Sequence, residues 1–325
     1  MNTIPFVSQI KYTFILIIFL FACLLFTGCS IKKMAVNKIG DALAQSTSGT
    51  FTADDDPKLI ADALPFSLKL MESISSETPK HIPLLISLSR GFTSYSYAYI
   101  QLEADYIEET DWQEALHMRE RARKLYLRAR NYGLQGLEVL QDGFTNEFFN
   151  DPQKALLSLK QTDEEARLLV QWTLSPWAAA ISISKDMPEL IADLPYIEAM
   201  IEWMKHWEEY EKFQPLASIL MPFESVRTKL APDEGTLEER IRRDFEAALR
   251  VSNGSVISPY ISLAELVSIQ NQDLDEFNML LKKALSIEVD RYPENRLENL
   301  LMQKRARWLL SRQEELFLPE LPPEE

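Results

Sequence analysis

The chain has 325 residues, 46% of them hydrophobic, with 34 Lys and Arg against 49 Asp and Glu and a formal net charge of −15. That length can bury a sizeable core. The acidic balance repels nucleic acid and anionic headgroups over most of the surface, which excludes a general polyanion-binding role. Only 9 glycines are present, well below the usual share of roughly 7%. Leu, Ala, Glu, Lys and Arg dominate, and these residues keep side-chain freedom in a helix. Alternating runs rich in Val, Ile and Thr are nearly absent. The prediction is an all-α fold, one domain over residues 51–317.

The N-terminus predicts export. Residues 12–27, YTFILIIFLFACLLFT, carry no charge, follow Lys11 and lead directly into Gly28-Cys29. An apolar run of this length fits a signal peptide and is short for an uncleaved membrane anchor. A small residue before a cysteine suits a lipoprotein peptidase, because the scissile bond enters a narrow pocket. Residues 1–28 are therefore read as a lipoprotein signal peptide and Cys29 as the lipidation site. Phe26, three positions before the cysteine, departs from the usual small aliphatic residue. Cys23 is a competing site, opposed by bulky Phe21 two residues earlier. With Cys23 removed and Cys29 acylated, no thiol remains for a disulfide. Ser30 replaces the aspartate that retains lipoproteins at the inner membrane, which points to a periplasm-facing protein of the outer membrane. Residues 29–50 are the lipidated segment and linker.

Helices follow one another along the mature chain. Asp56-Pro57 opens one, with Asp as cap and Pro at the first helical position. Leu59, Ala63, Phe66 and Leu70 share a face of it, and Pro65 is expected to bend it. Pro83 opens a helix to about Leu102, and Asp111 caps a long one through Leu140. Asp151-Pro152, Leu194-Pro195, Ser258-Pro259 and Tyr292-Pro293 open others. Residues 318–325 are an expected disordered tail. Within the long helix, Arg119, Arg121, Arg123, Lys124, Arg128 and Arg130 form a basic stretch. It reads either as a site for an acidic partner or as a solvated face paired with neighbouring acids.

Catalytic signals are missing. His81, His117 and His206 have no Cys or second His at ligand spacing, so surface or core histidines are the expectation. Asp54, Asp55 and Asp56 lack the Gly and distal Glu of a calcium loop. No glycine-rich phosphate loop occurs, and Ser175-Pro176-Trp177 lacks the glycines of a nucleophile elbow. The chain is predicted to be no enzyme, with no cofactor and no metal. Aromatic residues offer the one candidate lining. Phe92, Tyr95 and Tyr99 share a helical face, and Trp172 and Trp177 flank Pro176. These five residues line an apolar channel or pack an interhelical core.

Ala122-Tyr126-Ala129 has the small–large–small spacing of the second helix of a tetratricopeptide repeat. Ile241-Phe245-Ala248 and Phe277-Leu281-Ala284 fit in part. From 241 to 277 is 36 residues, near the repeat of roughly 34, but 122 to 241 is far longer. The expected architecture is an array of helix hairpins with irregular tetratricopeptide-like repeats.

Residues 51–73, FTADDDPKLIADALPFSLKLMES, together with RERARKLYLRAR at 119–130, resemble the T-component of tripartite ATP-independent periplasmic (TRAP) transporters. So do residues 91–99, WAAAIS at 177–182 and RARWLL at 305–310. Residues 213–236 resemble the family least. The resemblance implies an all-helical lipoprotein with cryptic tetratricopeptide motifs, forming a homotrimer with a pore-like channel in each protomer. It implies a periplasmic solute-binding protein as partner and a small organic acid or apolar molecule as ligand, with no catalytic residues. The contrasting expectation is an envelope scaffold that binds proteins through a tetratricopeptide-like groove, without a transport role.

Overall fold

A computed structural model describes residues 34–44, 49–160, 163–205, 221–227 and 234–319. The signal run, Cys23, Cys29, His206 and the tail from residue 320 lie outside the described residues. Among the described residues the regular structure is helical, with no strand, as the composition predicts. None of these helices is long and apolar enough to cross a membrane.

Helix α1 (Pro57–Glu77) is capped by Asp56, whose carboxylate accepts from the Lys58 and Leu59 N–H groups at 3.0 Å. It buries Ile60, Leu64, Leu68 and Met71. The parallel stripe Leu59, Phe66 and Leu70 faces outward, with Phe66 73% exposed. Two apolar stripes one residue apart have the same period, so spacing alone does not say which is buried. The helix continues through Pro65. Helix α2 (Ile82–Ser96) is capped by His81, whose Nδ1 accepts from Leu84 N–H at 3.2 Å. His81 Nε2 also meets Asp41 Oδ1 at 3.0 Å, so this histidine is a structural tether. A π-helical turn (Tyr97–Gln101) and helix α3 (Leu102–Ile107) extend α2 without a break.

Helix α4 (Trp112–Leu140), capped by Asp111, is the central rod. After α5 (Phe144–Asn150) and α6 (Pro152–Leu157) comes α7 (Glu164–Ser182), and α4 packs along both α2 and α7. Its buried face carries the small residues Ala122, Ala129, Gly133 and Gly136. A Cβ at Gly133 would lie 2.1 Å from Thr173 Oγ1, and one at Gly136 2.2 Å from Leu169 Cδ2. Only residues without side chains let the two backbones approach so closely. Pro176 sits inside α7. Its missing N–H strands the Trp172 carbonyl four residues earlier, and the Ser89 hydroxyl of α2 donates to that carbonyl. Short α8 (Pro188–Ile191) and α9 (Leu194–Lys205) complete a core built on Leu137, Phe148, Leu169, Trp177 and Met200.

The second half comprises α10 (Leu237–Ser252), α11 (Ser258–Leu263), α12 (Leu274–Leu285), α13 (Arg296–Ser311) and α14 (Gln313–Leu316). A π-helical turn (Ala264–Ser268) continues α11. Pro293 opens only a short 3-10 turn, and α13 begins at Arg296. Phe277, Leu281, Met302 and Ala306 form this core. Buried Asn299 ties α13 to the loop before α11, accepting from Ile257 N–H at 3.0 Å and donating to Ser255 O at 2.8 Å. The halves close on each other. Leu297 N–H donates to Thr52 O at 3.0 Å, and Arg296 Nη1 donates to Ala53 O at 3.2 Å. Arg305 bridges Glu265 at 2.6 Å and Asp105 at 3.3 Å.

The basic stretch of α4 is paired. Arg119 holds Asp105 and Glu108, Lys124 holds Glu120 at 2.7 Å, and Arg130 lies 3.8 Å from Asp193. Arg121 and Arg128 stand over the rings of Tyr95 and Phe92, and Arg123 approaches Glu120 at 4.0 Å. These contacts match a helix face matched to its neighbours.

Asp244 on α10 predicts a pH dependence. Burial, followed by the charge of Glu224, pushes its carboxyl from the ordinary 3.8 up to about 7, against the pull of Lys205, Arg243 and Arg227. Its buried Oδ2 has no hydrogen-bond partner. A carboxyl with a raised folded-state pKa favours the fold while protonated and disfavours it once ionised, so this contribution declines as pH rises from about 4 to beyond 7. Asp244→Asn should leave stability near pH 4 unchanged and raise it by about 1–3 kcal/mol at pH 8. Thermal melts across that range provide the measurement; an equal effect at both ends would refute the assignment.

Candidate functional site

Where the two halves meet, α1, α2, α7, α11 and α13 line a half-open cavity of about 490 Å³, within the range of small-molecule sites. The π-helical turn supplies Tyr97, Tyr99 and Gln101 to its wall. The wider turn rotates these side chains relative to a regular helix, a device that recurs at functional sites. Gln101 is fixed by the Tyr126 hydroxyl, which donates to Oε1 at 2.7 Å. Helix α7 contributes Trp172 and Ala178, and α13 contributes Leu297, Glu298 and Leu301.

Tyr97 keeps 40% of its surface accessible, yet burial pushes its hydroxyl far above the ordinary range. Both hold because its hydroxyl is turned into the second core, 4.0 Å from Met302 Sδ and near the charges of Glu265 and Arg305, while the accessible part of the side chain borders the cavity. Glu298 is solvent-accessible along the same wall, and the protein around its carboxyl raises the pKa against a hydrogen bond from Ser258 and the charge of Arg90. Burial conversely lowers the Arg90 guanidinium pKa. Arg90 lies over the Trp172 ring, 5.5 Å from its centroid.

The five aromatic residues separate. Tyr99 and Trp172 line the cavity. Phe92 is 4% exposed and stacks on Tyr132 at 6.0 Å. Tyr95 packs against Tyr99 at 5.9 Å and lies outside the wall. Trp177 is fully buried in the first core. Sequence reasoning passed over Arg90, Tyr97, Ser258 and Glu298. A signal for Arg90 was present: it is the only charged residue between Ile82 and Leu102, and a lone charge in an apolar helix faces something specific. Glu298 and Ser258 join the site only through tertiary contact. Among the described residues no group of three or more His, Cys, Asp and Glu is placed to hold a metal ion.

Fold and site together define a helical protein with a half-open cavity between its halves. Residues 53–317 match the family described as TRAP transporter T-component, and the chain belongs to that family. An uncharacterized protein of Treponema pallidum (strain Nichols) is 29% identical over 316 residues, covering 91% of this chain and 95% of the relative. Membership gives the chain an accessory role in a transporter, associated with membrane and periplasm, and not that of an enzyme. A solute-binding protein is the partner it implies.

Proposed function

We propose that this protein is the periplasm-facing T-component of a TRAP transporter, anchored through a lipid on Cys29. It binds the solute-binding protein and passes a small ligand through the cavity between its halves. The observation that carries this reading is a half-open, largely apolar cavity between the two halves of a chain of this family. Tyr99 and Trp172 are its lining residues, with Gln101 as a polar handle. The helix hairpins are tetratricopeptide-like: Ala122, Tyr126 and Ala129 are fully buried on α4, as are Phe277, Leu281 and Ala284 on α12.

Homotrimer formation uses the outer face of α1. Leu59 and Phe66 are 55% and 73% exposed there and, among the described residues, belong to no core cluster. Burying such a stripe between copies removes several apolar side chains from water, each contributing about 1.5–3 kcal/mol. Sedimentation of the full-length lipoprotein in detergent, alone and with the transporter's solute-binding protein, tests both points. The expected result is a trimer that carries the binding protein, with Phe66→Glu reduced to monomer. Failure to co-sediment with the binding protein would favour the scaffold reading. A trimer unaffected by Phe66→Glu would move the interface elsewhere.

A further inference from the structure

The cavity holds two opposite charges that make no ion pair with each other. Arg90 enters from α2 and Glu298 from α13, and both line the same space. Among the described residues neither has an ion-pair partner, although each feels the other's charge. Each is held back by its own wall: Arg90 rests on the Trp172 ring at 5.5 Å, and Glu298 accepts from Ser258 Oγ at 2.8 Å. The rest of the lining is mainly apolar, with Ala178, Phe223, Leu297 and Leu301 among it.

We propose that Arg90 and Glu298 are the two poles of a recognition site for a zwitterionic small molecule with an apolar body, of the hydrophobic amino-acid type. The ligand's carboxylate meets Arg90, its ammonium meets Glu298, and its apolar portion lies along Trp172 and Leu301. This rests on the reading of the cavity as a ligand path. A charge without an ion-pair partner in a space walled largely by apolar protein is less favourable than a paired one. A molecule bearing both signs compensates both poles at once. A simple anion satisfies Arg90 but meets the repulsion of Glu298 and of Glu294, a second acid of the lining. A simple cation meets the reverse difficulty at Arg90. The arginine side chain presents a fork of donors suited to a carboxylate and keeps its charge at any physiological pH.

Three probes share one apolar body and differ only in charge: L-phenylalanine, 3-phenylpropanoate and 2-phenylethylamine. Equilibrium dialysis at pH 7 with the full-length lipoprotein in detergent should show L-phenylalanine bound at least about 10-fold more tightly than either singly charged probe, a difference of about 1.4 kcal/mol. Arg90→Gln should remove that advantage while leaving 2-phenylethylamine unweakened. Glu298→Gln, which keeps an acceptor for Ser258, should remove it while strengthening 3-phenylpropanoate. Circular dichroism melts identify any variant that fails to fold, and the wild-type ranking of the three probes decides the matter without variants. Equal binding of a singly charged probe, or binding of none, overturns the proposal. Co-sedimentation with the solute-binding protein on the same preparation separates the two readings. Association without probe binding discards the two-pole site alone, and loss of both discards the transport reading with it.

Discussion

Trp177→Ala should lower the free energy of unfolding by about 4–5 kcal/mol, whereas Trp172→Ala, five residues earlier on the same helix, should remove only about 1–2 kcal/mol. Trp177 is fully buried, stacked on Tyr196 at 5.7 Å and tilted against Phe148 at 6.5 Å. Its Nε1–H donates to Asp193 Oδ2 at 2.9 Å, and Arg130 lies 4.7 Å above its ring. Truncation leaves a cavity and also deprives Asp193 of its donor in a partly buried site where burial already raises its pKa, so the loss lies in the upper range for a large aromatic. Trp172 is only partly buried, with a face on a cavity that already exists. Its removal enlarges that space without creating a new void. Urea denaturation of the two variants gives the comparison, and equal losses would abolish the distinction between core and wall.

Gly133→Ala should destabilise the protein by about 3 kcal/mol, roughly 6–12 °C in Tm. In an exposed helix the same change stabilises by up to about 1 kcal/mol, because alanine loses less backbone entropy. The sign is reversed here by the crossing of α4 and α7. The new Cβ would lie 2.1 Å from Thr173 Oγ1 and 3.0 Å from the Thr173 Cα. A hydroxyl can rotate away, but the backbone carbon moves only if the helices separate. Separation in turn disturbs the packing of Leu169 against Gly136 one turn on. Thermal melting by circular dichroism decides the point. A neutral or stabilising result would show that the two backbones do not meet at this position.

Helix starts were legible because their chemistry is local. Asp56, Asp111 and Asp151 each cap a helix with their own carboxylate, and no distant residue is needed to see it. The buried face of α1 was not legible, since Leu59-Phe66-Leu70 and Ile60-Leu64-Leu68 have equivalent spacing and only packing against α2 selects the second. The π-helical turn at Tyr97–Gln101 leaves no mark in the residue pattern, yet it brings Tyr97, Tyr99 and Gln101 to one wall. Trp172 and Trp177 look alike as flanks of Pro176, but five helical positions turn them to different surroundings, one toward the cavity and one into the core. Arg90 could have been singled out as the lone charge of its helix. Its counterpart Glu298 could not, because α13 carries many charged residues and nothing local sets this one apart.

The closure between Arg296 and Ala53, 243 positions apart, bears on when the cavity comes into being. As the polypeptide is synthesised, α1, α2, α4 and α7 can assemble around their own core long before α13 exists. The wall formed by Leu297, Glu298 and Leu301 arrives only with that late helix. Contacts of such long sequence separation are slow to form, because a large loop must close before they contribute. The ligand space is therefore the last feature to mature. A nascent or C-terminally clipped chain would keep most of its helix yet lack the α13 wall of the cleft, so the ability to retain a small molecule reports on completion of the whole fold.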